Sequence, residues 1–143
     1  MRFNNSRHAL EWYFDFNIAC RESVCNLEYI GKLIAGEEVS RGAVDPGTYE
    51  MEDALIAKID IEKMLDSYPH WIKWTLIAIG AYGEDLCAIN VLEKLNMTWR
   101  KKSIDSKHRF IRHILQNFHQ KLVKADYIEP GKKIDFSFLR KVS

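Results

Sequence analysis

Between Arg100 and Gln116 the chain carries Arg100, Lys101, Lys102, Lys107, Arg109, Arg112, His113 and Gln116. All eight side chains donate hydrogen bonds, and the Lys and Arg groups carry fixed positive charge. Such groups recognise anions and acceptor-rich edges. Lysine acts as a point charge on phosphate, arginine as a two-pronged fork, and glutamine pairs a donor with an acceptor. Arg112 and Gln116 are four residues apart, as are Arg109 and His113. On a helix that spacing places each pair on one side. Lys132 and Lys133, after Pro130-Gly131, add two cations at a turn.

Other chemistries find less support. His108, His113 and His119 do not share one helix face, so they form no metal-binding set, and no metal or cofactor is expected. His70, beside the large aromatics Trp71 and Trp74, reads as a packed residue. Glu84-Asp85 reads as a helix start rather than an acid–base couple. No glycine-rich phosphate loop, nucleophile elbow or metal-ligand spacing occurs, and the chain reads as non-enzymatic. Cys20, Cys25 and Cys87 are odd in number and form no C-x-x-C, so reduced, mostly buried thiols in a cytoplasmic protein are expected.

Charge separates along the chain. Before Lys94 there are eight Lys and Arg against sixteen Asp and Glu, a net of −8. From Lys94 onward there are thirteen against four, a net of +9, although the whole chain carries only +1. A basic third attached to an acidic remainder implies a polyanionic partner for the basic part, unless the two parts neutralise each other within the fold. The most apolar run, Trp74–Tyr82, is far shorter than the roughly 20 residues that span a bilayer, and the N-terminus lacks the apolar stretch of a signal peptide. No membrane partner is expected.

The elements that must position these groups are legible from periodicity. Asn5 or Ser6 can cap a helix from Arg7 to about Ala35, broken near Cys20–Ser23. Gly36–Thr48, with Asp45-Pro46-Gly47, reads as a loop that divides an N-terminal segment (1–48) from the remainder (49–143), the two forming one compact unit. A second helix follows Thr48, with Leu55, Ile59 and Leu65 on its inner stripe, and ends at Ser67 and Pro69. His70–Tyr82 is apolar enough to lie centrally, and Glu84–Leu95 makes a short helix before a turn at Asn96–Thr98. Ser103 or Asp105 caps a long helix to about Ala125, whose inner stripe is Phe110, Ile111, Ile114, Leu115, Phe118 and Leu122. Glu129-Pro130-Gly131-Lys132 has the residues of a type II turn, and alternating Ile134, Phe136 and Phe138 predict a small C-terminal β-hairpin. The expected class is therefore mainly α: about five helices, a helix-turn-helix-like C-terminal half, and that hairpin.

The stretch IDIEKMLDSYPHWIKWTLIAIGAYGEDLCAINVLEKLNM resembles the lead into region four of bacterial sigma factors and into related winged helix-turn-helix regulators of phage type. An acidic helix runs through a proline-containing turn into an apolar helix ending in Tyr-Gly. A short helix then closes on a turn before a basic helix. The resemblance spans residues 59 to about 125, with Thr98–Ser103 longer and more basic than the usual tight turn. It implies that the basic helix enters the major groove of double-stranded DNA and that RNA polymerase is a second partner. The hairpin would serve as a wing on the phosphates. The alternative is a non-enzymatic adaptor that binds a protein partner through its acidic, aromatic N-terminal part.

Overall fold

In a computed structural model, residues 1–22, 51–82 and 85–139 are described, and within them the chain is helical with no strand. Helix α1 is Ser6–Glu22, α2 is Met51–Asp66, α3 is His70–Tyr82, α4 is Asp85–Leu95 and α5 is Ile104–Lys124. A 3-10 turn over Met97–Lys101 joins the last two. The expected extension of the first helix to Ala35, the loop Gly36–Thr48 and the boundary at Thr48 fall outside the described residues.

Local capping explains where the helices begin and end. The Asn5 side chain accepts the His8 amide at 2.9 Å and its carbonyl accepts the Ala9 amide at 3.1 Å, so Asn5 caps α1. Ser103 does the same for α5 by accepting the Ser106 amide at 3.2 Å. At the far end of α5, Asp126 adopts φ 65°. Its amide donates to the Val123 carbonyl, and the Tyr127 amide donates to Leu122, the paired bonds of a Schellman closure. Asn96 caps the 3-10 turn by accepting from Thr98, which occupies the stretch where a tight helix-turn-helix turn would lie.

The core is built around α3. Leu76 and Ile79 are fully buried, and α1 and α4 pack along it. Gly80 makes the close approach possible: an added Cβ would lie 2.5 Å from the Leu10 carbonyl oxygen on α1. Helix α5 contributes Ile111, Ile114, Leu115, Phe118 and Leu122, matching the expected stripe except for Phe110, which is only half-buried. Helix α1 is tied to α5 by the buried Ser6 hydroxyl, which donates to the Leu115 carbonyl at 3.2 Å. The α2 stripe differs from expectation. Ala54, Ala57, Ile61 and Leu65 face inward, while Leu55, Ile56 and Ile59 are 43–49 % exposed. Two alanines allow a closer seat than the bulkier Leu55 and Ile59 would.

The expected C-terminal hairpin does not form among the described residues. The type II turn forms, with Gly131 at φ 90° and the Lys132 amide donating to the Glu129 carbonyl at 3.3 Å. Beyond it no ladder follows, and residues 132–136 run irregularly. The Asp135 carboxylate accepts the Ser137 amide at 2.9 Å, and the Leu139 amide donates to Phe136 at 2.9 Å, so backbone donors are spent on tight local turns. The alternating aromatics that predicted a strand instead cover helices. Phe136 lies under Arg112, Phe138 under Arg7, and Leu139 is buried. Alternation alone did not separate a paired strand from an extended tail lying on a helix. The proposed wing is therefore absent as a hairpin.

Candidate nucleic-acid interface

Helix α5 is about 31 Å long at 1.5 Å per residue. Arg112, Gln116, Arg109, Gln120 and His113 fall within roughly 100° of helix azimuth, opposite the buried stripe. Arg109, His113, Gln116 and Gln120 are all exposed. Arg100, Lys101 and Lys102 are exposed on and just after the 3-10 turn that leads into this helix. Arg109, His113, Gln116 and Gln120 form an exposed stripe of donors, with exposed Asp105 one turn earlier on the same side and three exposed cations in the preceding turn.

The tail extends this face. The carbonyl of Lys132 accepts from His119 Nε2 at 3.1 Å, and Phe136 sits 6.0 Å below the Arg112 guanidinium. Since Lys132 meets the C-terminal part of α5 and Phe136 meets its middle, the tail runs antiparallel to the helix along one flank. Exposed Lys132 and Lys133 are thus held beside the stripe without a hairpin.

Two residues that sequence reasoning placed in contact with DNA have other occupations. Lys107 is only 8 % exposed and its ammonium pairs with the Glu93 carboxylate on α4. Removed from solvent and already neutralised, it ties α5 to α4. Arg112 is half-buried, with Nε enclosed and lacking a hydrogen-bond partner and the guanidinium over Phe136. The aromatic ring stands at the outer limit of a cation–π contact with that guanidinium. The free amides at the start of α5 are also less open to phosphate than expected, because Ser103 takes one and exposed Asp105 stands in the first turn.

Among the described residues, few ion pairs join the acidic and basic parts. Lys107–Glu93 joins them, and Arg2 meets Asp126 at 3.0 Å and Glu129 at 3.3 Å. Among the described residues, Arg100, Lys101, Lys102, Arg109, Lys132 and Lys133 form no ion pair. Their charge faces solvent.

A different cavity, of about 320 Å³, lies between α1, α2 and α3 and is lined by Tyr13, Asn17, Glu62, Lys73, Trp74 and Ile77 among others. Its polar groups are engaged with each other or with near neighbours. The Tyr13 hydroxyl donates to Glu62 at 3.1 Å, and burial, with the Glu62 charge second, pushes it up to about 12. Lys73 pairs with Asp66 at 2.6 Å. Among the described residues no group of three His, Cys, Asp or Glu could hold a metal ion, and no helix is long and apolar enough to cross a membrane.

His119 couples the tail to pH. Its Nε2–H donates to the Lys132 carbonyl, leaving Nδ1 buried with no partner. Burial lowers its pKa from the ordinary 6.5, only partly offset by the bond to Lys132. The unfolded chain therefore takes up this proton first as pH falls, so stability present above 6.5 is lost below it. The urea midpoint is expected to drop between about pH 7.5 and 5.5, with a shallower drop in His119→Gln, which retains a donor for Lys132. Equal pH dependence in both proteins would assign the effect elsewhere.

Comparison with protein-family models, with curated protein sequences and with solved structures finds no match to this chain.

Proposed function

We propose that the protein is a DNA-binding transcription regulator that lays α5 in the major groove of double-stranded DNA. The observation that supports this is the stripe of Arg109, His113 and Gln116, exposed and facing one way, which follows a turn bearing three unpaired cations. A major groove about 12 Å wide admits one helix, and the helix must bring donors to base edges and cations to the flanking phosphates. In this reading Arg109 and Gln116, two turns apart, meet base edges. Arg112 lies over Phe136, and Arg100, Lys101, Lys102, Lys132 and Lys133 meet phosphates. Helices α4 and α5 then act as a helix-turn-helix whose turn is lengthened by the 3-10 segment, and RNA polymerase is the second partner.

The test compares two single substitutions in a salt-dependent titration on random and selected duplexes. Arg109→Ala is expected to cost about 1–3 kcal/mol on the selected duplex and to relax preference at one base position. Lys102→Ala is expected to weaken both duplexes alike and to reduce the salt slope by about one. Equal losses on both duplexes from both variants would reduce the proposal to non-specific electrostatic binding.

One observation favours the alternative of a protein-binding adaptor. The half-exposed Leu55, Ile56 and Ile59 share the outer face of α2 with Glu52 and Lys63. Loss of a partner protein on Ile56→Lys, with DNA binding intact, would favour that reading.

A further inference from the structure

A second surface adjoins the basic turn. His70 and Trp74, one turn apart on α3, face Val91, Lys94 and Leu95 on α4 across an open groove of about 260 Å³ with an almost wholly apolar wall. Trp74 is 41 % exposed and Leu95 42 %, large values for such side chains in a protein with ample core. The His70 ring stands edge-on to the Trp74 ring at 5.9 Å, fixing the indole from one side. The volume is just below the range of about 300–1,000 Å³ that holds drug-sized ligands, enough for one planar ring system.

One cation, Lys94, lines the groove; it is exposed and forms no ion pair among the described residues. The 3-10 turn begins two residues beyond Leu95 and is about 10 Å long, so Arg100, Lys101 and Lys102 follow directly. A flat apolar slot beside a run of cations is complementary to a ring attached to a phosphate chain. Base–aromatic stacking with backbone cations is how proteins hold unpaired strands.

We propose that the Trp74 groove takes a single unpaired base of a DNA strand, stacked on the indole, while Arg100–Lys102 hold the phosphates where that strand leaves the duplex on α5. The site rests on the nucleic-acid reading above and narrows its target to duplex with an unpaired end or junction. A second copy of the chain is the competing occupant.

The experiment measures binding of the full chain to a blunt duplex and to the same duplex bearing a single-stranded thymidine overhang. Wild type is expected to bind the overhang substrate more tightly. Trp74→Ala is expected to lose about tenfold on the overhang substrate and nothing on the blunt one, with Trp74→Phe intermediate. Circular dichroism and retained blunt-duplex binding establish that each variant is folded. Equal affinity of wild type for both substrates, or a Trp74→Ala variant unchanged on the overhang, would overturn the inference while leaving the duplex reading intact. A variant that changes sedimentation but not overhang binding would also overturn it, in favour of self-association. Failure of wild type to bind either substrate at low salt would instead overturn the underlying reading.

Discussion

Gly80→Ala is expected to destabilise the protein by about 3 kcal/mol, at the upper end of what overpacking a core costs. In an open helix the same change stabilises by roughly 1 kcal/mol, because alanine loses less backbone entropy. The contact decides the sign. A Cβ at Gly80 would lie 2.5 Å from the oxygen, 2.6 Å from the carbonyl carbon and 2.8 Å from the Cβ of Leu10. Two of these atoms are α1 backbone, so no rotamer change relieves the clash. Helix α1 must shift, and with it the buried Ser6–Leu115 hydrogen bond to α5 and the Phe3 amide bond to Tyr127 at 2.7 Å. Urea denaturation is expected to give a much lower midpoint with an unchanged slope. A midpoint at or above that of wild type would mean that α1 does not cross α3 at this point.

Removing the three cations of the turn is expected to have the largest effect on binding. Each phosphate contact contributes about −0.9 to the slope of log affinity against log salt, so replacing Arg100, Lys101 and Lys102 by Ala makes the slope shallower by nearly three. Between about 50 and 200 mM salt that difference amounts to roughly fortyfold in relative affinity. Preference among duplexes is expected to survive, because phosphates carry no sequence information directly. Lys107→Met is the contrasting variant. It removes a cation of the same basic third, but one that is buried against Glu93. It is expected to lower stability, since Glu93 loses its partner, and to leave the salt slope unchanged. A slope reduced equally by Lys107→Met would show that net charge, not its placement, governs binding.

The contrast between Lys107 and its neighbours marks how far the sequence could be read. The 3.6-residue period of Ile111, Ile114, Leu115, Phe118 and Leu122 is a strong signal, and α5 lies close to where it predicts, capped by Ser103. The same period places Arg109, His113 and Gln116 outward, as found. Lys107, four residues before Ile111 and seven before Ile114, falls on the inner side of α5 by the same period, and its charge is accommodated there by Glu93 fourteen residues earlier. No local pattern carries a pairing between helices. Helix α2 shows a similar limit. Leu55 and Ile59 have helical spacing, yet Ala54, Ala57 and Ile61 have it as well, and only the closeness of the seat selects between the two faces. The tail failed for a third reason. Ile134, Phe136 and Phe138 alternate as a strand does, but each finds its contacts on helices, and Asp135 and Phe136 satisfy the nearby amides locally. The charge asymmetry was visible in composition, whereas the Trp74 groove, made by two helices meeting, was not.

Helix α5 and its leading turn are the proposed DNA-contacting surface. The most direct measurement is amide chemical-shift mapping of the labelled protein during titration with a duplex at low salt. Shifts are expected along Arg100–Lys102, at Arg109, His113 and Gln116, and at Lys132 and Lys133, with Leu55, Ile56 and Ile59 unmoved. Perturbation confined to the outer face of α2, or no perturbation at low salt, would contradict the account.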